Sequence, residues 1–146
     1  MRRLTIGLLG AALAAVMAGA ASADQVFHTQ RVQLTAVEGA PGGGTVVDIH
    51  ANGPQVFSHE LYQLFDAVPG TYEVFVNLSP TSLDCTGPTF TVPTATLTTN
   101  GTGNGQADAV YTPAAVAPFQ GTTFSLSWTV TGPATYVTGC IVTVVD

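Results

Sequence analysis

Beyond residue 24, apolar and polar residues alternate with period two in runs of about ten residues, punctuated by Gly, Pro and Asn. This is the pattern of half-buried antiparallel strands joined by short turns, and it predicts about eight of them. The clearest run is Thr122 to Thr131, where Phe124, Leu126, Trp128 and Val130 alternate without error against Thr123, Ser125, Ser127 and Thr129. Thr71 to Ser79 reads the same way, with Tyr72, Val74, Val76 and Leu78 on one face. A first strand over Val26 to Val37 turns Val32, Leu34 and Ala36 inward. In a second, Thr45 to Ala51, the apolar residues Val47, Ile49 and Ala51 are assigned to the core, which sends Asp48 and His50 to the other face.

The remaining segments are fixed by their punctuation. Asn52-Gly53-Pro54 breaks the second strand. Val56 to Asp66 carries a helix-like stripe (Phe57, Leu61, Leu64, Phe65), but its length and its strand neighbours favour a strand. Pro93 within Phe90 to Thr99 implies an edge position or a bulge, with Thr94, Thr96 and Thr98 pointing outward. Asn100 to Gly105 (NGTGNG) is a hairpin signal, because Asn-Gly pairs supply the positive φ that tight turns require. Gln106 to Tyr111 is the returning strand, Pro113 to Gly121 a longer connection, and Thr135 to Val145 a last strand with Cys140, Val142 and Val144 on one face. The fold class expected is all-β, an antiparallel sandwich of about eight strands.

The first 23 residues read differently. Arg2 and Arg3 precede an apolar, small-residue run from Leu4 to Ala20, and Ala21-Ser22-Ala23 supplies a small-x-small cleavage site before Asp24. This is the form of an export signal, a helix expected to be cleaved, leaving 24–146 as a single β-domain that is secreted or periplasmic. Its loss removes two of three cations. Arg31 alone then faces nine carboxylates, with no lysine, for a net charge of −8. Phosphate neutralisation has almost nothing to work with, so nucleic acid is excluded as a partner, and so are anionic membrane surfaces. Lysine-dependent chemistry is excluded as well. Cys85 and Cys140 are expected to pair in an oxidising compartment, closing a loop of about 55 residues worth about 4 kcal/mol in the chain-entropy treatment.

The run Asp66-Ala67-Val68-Pro69-Gly70-Thr71-Tyr72-Glu73-Val74 resembles the corner of immunoglobulin-like and fibronectin type III-like sandwiches. The resemblance implies that Tyr72 is a corner tyrosine whose hydroxyl bonds back to the corner backbone. The chain departs from immunoglobulin domains in having no cysteine two residues after Tyr72, so its disulfide linkage differs. Thr94 to Ala109, the Trp128 strand and Tyr136-x-x-x-Cys140 are similar to small exported bacterial sandwiches. There is a looser resemblance to neocarzinostatin-type apoproteins, which implies a cradle for a small apolar compound. Those carry two disulfides and this chain at most one.

Candidate chemistry is sparse. His50 and His59 could approach across the Asn52-Gly53-Pro54 turn, with Asp48 or Glu60 completing a zinc or copper site, but no tight His-x-His or His-Glu-x-x-His spacing is present. No Gly-x-Ser-x-Gly elbow occurs, and Ser58-His59-Glu60 alternate faces on a strand, so they form no triad by themselves. Trp128 lies on the buried face of its strand and is expected to be core. Tyr62, Tyr111 and Tyr136 are the candidates for an exposed aromatic platform. No cofactor is implied. The function expected is a secreted, non-enzymatic binding or structural module for a protein, a glycan or a small apolar ligand. The alternatives are a metal-binding protein or hydrolase using His50, His59 and nearby carboxylates, and a secreted inhibitor. The binding reading predicts loop aromatics without buried ionisable groups; the enzyme reading predicts a cleft where the histidines and acids converge.

Overall fold

The computed structural model describes residues 26–52 and 57–145. The leader at 1–23 lies outside the described residues, as do Gly53 and Pro54 of the strand breaker. The period-two segments become nine strands, all antiparallel: β1 (Val26–Ala36), β2 (Gly43–Asn52), β3 (Phe57–Phe65), β4 (Thr71–Ser79), β5 (Phe90–Thr98), β6 (Gly105–Tyr111), β7 (Thr122–Thr131), β8 (Thr135–Thr138) and β9 (Ile141–Val145). The segment with the helix-like stripe is thus a strand, β3. Hydrogen-bonded neighbours run β5-β4-β7-β8-β1-β2-β3-β6, with β9 added to β7. The two ends of this path, β5 and β6, are adjacent in sequence and joined by the Asn-Gly turn, so the sheet nearly closes on itself. Closure of this kind hides strand edges that a chain so poor in surface charge has little means of protecting.

The core follows from the alternation. Leu34, Val46, Tyr62, Leu64, Tyr72, Val74, Leu97, Trp128, Val130 and Tyr136 are buried together. Tyr72 donates its hydroxyl to the Val68 carbonyl at 2.5 Å, and the Tyr136 hydroxyl donates to the Pro41 carbonyl at 2.8 Å while accepting from the Val68 N–H at 3.3 Å. Both rings therefore bury their bodies and still satisfy their polar ends. The turn at 100–104 is knit by Asn100, whose Oδ1 accepts from the N–H groups of Thr102 and Asn104. Gly103 sits at φ 77°, and a Cβ there would lie 2.0 Å from the Ala67 carbonyl oxygen, so this turn position requires glycine.

Four departures from the alternation shape the interior. β2 turns Val46, Asp48 and His50 inward, the reverse of the expected assignment. Val47 and Thr45 on the opposite face of β2 are buried as well, so apolar content does not mark its inner side. The expected last strand is two: it breaks at Gly139-Cys140, and the parity shifts, so Thr143 is buried and Val142 and Val144 are exposed. β8 pairs with the later part of β7 and β9 with its earlier part. At that break Cys140 is bonded to Cys85, S–S 2.15 Å, tying the loop before β5 to the β8–β9 junction. Third, β5 is both terminal in the path and bulged. Pairing shifts between Val74 and Phe75, leaving Thr94 as the extra residue beside Pro93 and turning it inward instead of outward. Fourth, Pro113–Val116 forms one helical turn, α1, followed by a 3-10 turn at Ala117–Phe119. Thr112 caps it by accepting from the Ala115 N–H, and Pro113 occupies the first position, where its missing N–H costs nothing.

Candidate functional site

The inward, even-numbered positions of β2 and β3 bring polar side chains together. Asp48 stands directly opposite Glu60, and His50 opposite Ser58. Glu60 is 4% exposed and Asp48 3%. Three donors from three strands converge on one oxygen, Glu60 Oε2: the hydroxyl of Tyr62 on β3, the hydroxyl of Tyr111 on β6 at 3.1 Å, and indole Nε1 of Trp128 on β7 at 2.9 Å. The Tyr62 hydroxyl oxygen also lies 2.8 Å from Thr94 Oγ1, which is itself 3.3 Å from the Val74 carbonyl oxygen. The β5 bulge therefore re-aims Thr94 into the network, a common use of a bulge beside a site. Among the described residues, no donor reaches the second oxygen, Glu60 Oε1.

Burial dominates the electrostatics. It disfavours the carboxylate and pushes the Glu60 carboxyl up from 4.5 to about 7; the donors from Tyr62 and Trp128 oppose this, Asp48 adds to it, and Tyr111 opposes it. Burial, then the negative charge of Glu60, likewise pushes the Tyr62 and Tyr111 hydroxyls well above the usual phenol range, so both stay protonated donors. His50 Nδ1 lies 3.6 Å from Asp48 Oδ2, and its ring stacks on His28 with centroids 5.3 Å apart.

This cluster forms one wall of a cavity of about 240 Å³. Asp48, His50, Ser58, Glu60, Tyr111 and Thr143 supply its polar groups. The remaining wall is apolar, from Val76 and Leu78 on β4, Val92 on β5, and Phe124 and Leu126 on β7, with Val116 and Phe119 of the short helical cap. Thr143 is 4% exposed, and its Oγ1 is buried with no hydrogen-bond partner among the described residues. A buried hydroxyl without a partner costs about 1–3 kcal/mol, so an apolar-walled cavity that contains one is short of a polar atom.

The candidates read from the sequence are distributed unevenly. Asp48, His50 and Glu60 come together, but His59 sits between two inward residues of β3 and points to the other face, where its Nε2 is 3.3 Å from Asp108 Oδ2. Among the described residues, no group of three or more His, Cys, Asp or Glu side chains is placed to hold a metal ion. The expected exposed tyrosine platform is corrected: Tyr62 and Tyr136 are fully buried, and Tyr111 is half-buried with its hydroxyl on Glu60. Trp128 is fully buried. Ser58, His50 and Asp48 are the residue types of a nucleophilic triad in one pocket. Among the described residues no hydrogen bond joins Ser58 to His50, and the ladders of β2 and β3 occupy their backbone N–H groups, leaving no oxyanion hole there.

The sequence reading missed Thr143, Thr94 and the cap. The parity shift at Gly139-Cys140 hid the first and the bulge hid the second. Thr112-Pro113 was a legible helix start for the third. Comparison with protein-family models, with characterised proteins and with solved structures gives no match to this chain. The disulfide fits an extracytoplasmic compartment. Among the described residues, no helix is long and apolar enough to cross a membrane.

Proposed function

We propose that this protein is a secreted, non-enzymatic binding protein that holds one small, mainly apolar molecule in the Glu60 pocket. The buried cluster of Asp48, His50 and Glu60 runs against the expectation of a binding module without buried ionisable groups. The binding reading is kept over the hydrolase because His59 faces away and, among the described residues, no hydrogen bond joins Ser58 to His50. The observation that carries the reading is the cavity of about 240 Å³, apolar on most of its wall, with a few buried polar groups converging on one side. That combination is the usual make-up of a small-molecule site. At ~30 Å³ per water-sized atom, the space suits a ligand of about eight non-hydrogen atoms.

The test is titration with n-hexanol, followed by the fluorescence of Trp128, the chain's single tryptophan. Six buried carbons at ~0.8 kcal/mol each give about 5 kcal/mol before the cost of immobilising the ligand, so the Kd is about 1 mM or weaker. Saturable binding to wild type that is lost in Ala115→Phe and Val92→Phe, which fill the pocket from exposed positions, supports the reading. A non-saturable response, or one unchanged in both variants, contradicts it. The non-enzymatic part is checked with p-nitrophenyl acetate: wild type and Ser58→Ala should turn it over equally slowly.

A further inference from the structure

The Glu60 pocket has a charge imbalance that its own residues do not resolve. Two carboxylates, Asp48 and Glu60, face each other across β2 and β3, both almost wholly buried. Burying an anion is costly unless it is paired or fully hydrogen-bonded. Asp48 has the His50 imidazole at 3.6 Å. Among the described residues, Glu60 has only neutral donors, all on Oε2. The pocket lining includes no lysine or arginine. The same lining holds Thr143 Oγ1, a buried polar atom without a hydrogen-bond partner among the described residues. The site thus offers a carboxylate oxygen and a hydroxyl, and the other wall offers hydrocarbon.

We propose that the ligand is a small protonated amine with an apolar body, its ammonium group donating to Glu60 Oε1 and Thr143 Oγ1 beside Asp48. This rests on the pocket reading above and gives its occupant a chemical class. An ammonium has several donors on one compact cation, which fits two carboxyl groups and a hydroxyl in one lining. A neutral alcohol has one O–H donor and leaves the facing carboxylates uncompensated. A carboxylate ligand adds a third negative charge. The net charge of −8 expected for residues 24–146 also draws cations toward the molecule.

The groups facing Glu60 set the pH dependence. They are Asp48 and His50 from β2, Tyr62 on β3, Tyr111 on β6 and Trp128 on β7, with Thr143 on β9 in the same lining. Between pH 6 and 8 the tyrosines stay neutral and Glu60 loses its proton around pH 7. This change favours a bound cation. An alkylamine keeps its own proton over this range. Its affinity therefore rises with pH, by about tenfold if Glu60 alone sets the change.

The experiment compares n-hexylamine, n-hexanol and hexanoate on the full protein, by calorimetry and Trp128 fluorescence at pH 6, 7 and 8. The expected result is n-hexylamine binding at least about tenfold tighter than n-hexanol at pH 8, its affinity rising with pH. Glu60→Gln should weaken the amine about tenfold, and Thr143→Val, which keeps the side-chain shape, should weaken it several-fold. If n-hexanol or hexanoate binds as tightly as the amine, or the amine's affinity falls as pH rises, the amine assignment is overturned while the pocket reading survives. If none of the three binds, the pocket reading fails and the assignment falls with it.

Discussion

Replacing Glu60 by glutamine should make the stability of this protein less dependent on pH, and the size of that effect comes from the burial of one carboxyl. In the fold the Glu60 carboxyl is pushed up to about 7, against 4.5 when unburied. Between these values the folded chain holds a proton that the unfolded chain has lost, so stability falls as pH rises. The contribution of this group is fully present below about pH 4.5 and is lost as pH climbs through 7. At ~1.36 kcal/mol per unit, the full swing is about 3 kcal/mol, most of it between pH 5 and 8. The glutamine does not titrate, and every other ionisable group is common to both proteins. Urea unfolding followed by far-UV circular dichroism at pH 5, 6, 7 and 8 isolates the difference. The wild-type midpoint should drop relative to Glu60→Gln by about 1–2.5 M urea across that range, at a slope of ~1–3 kcal/mol per M. Parallel curves for the two proteins would refute the reasoning, because they would mean that Glu60 titrates as an ordinary exposed carboxyl.

Other expectations rest on single observations. Thr143→Val removes a buried hydroxyl that has no partner among the described residues and should raise the unfolding free energy by about 1 kcal/mol, read from the same urea curves. Replacing Cys85 and Cys140 together by serine opens a loop spanning 55 residues and should lower stability by about 2–4 kcal/mol, matched by reduction of the wild type with dithiothreitol. Saturating zinc or copper should leave the melting temperature unmoved, since β3 sends His59 and Glu60 to opposite faces; a rise of several degrees would restore the metal reading.

Much of the fold was legible because its strands follow the period-two rule with clean punctuation. β4 and β7 alternate as expected, Asn100 to Gly105 forms the turn that its Asn-Gly pairs imply, and Pro93 marks a strand that is both terminal and bulged. The site was less legible, for reasons that lie in the alternation itself. β2 buries residues on both faces, so Val47 and Ile49 give no sign that Asp48 and His50 face the interior. On β5 the extra residue of the bulge, Thr94, turns inward while Thr96 and Thr98 stay outward, and the break at Gly139-Cys140 shifts the parity of β9 so that Thr143 faces in. Glu60 is visible in the sequence as a possible ligand, yet its three donors come from residues 2, 51 and 68 positions away, a convergence only the folded chain creates. Period two locates strands well; it places polar residues poorly when the interior holds a cavity.

The most direct measurement is a crystal structure of the protein grown with n-hexylamine. The expected result is one amine in the cavity between β2, β3 and β7, its alkyl chain against Leu126 and Phe124 and its nitrogen within hydrogen-bonding distance of Glu60 Oε1. A cavity holding only water, or closed by its own side chains while the amine sits elsewhere, would contradict it.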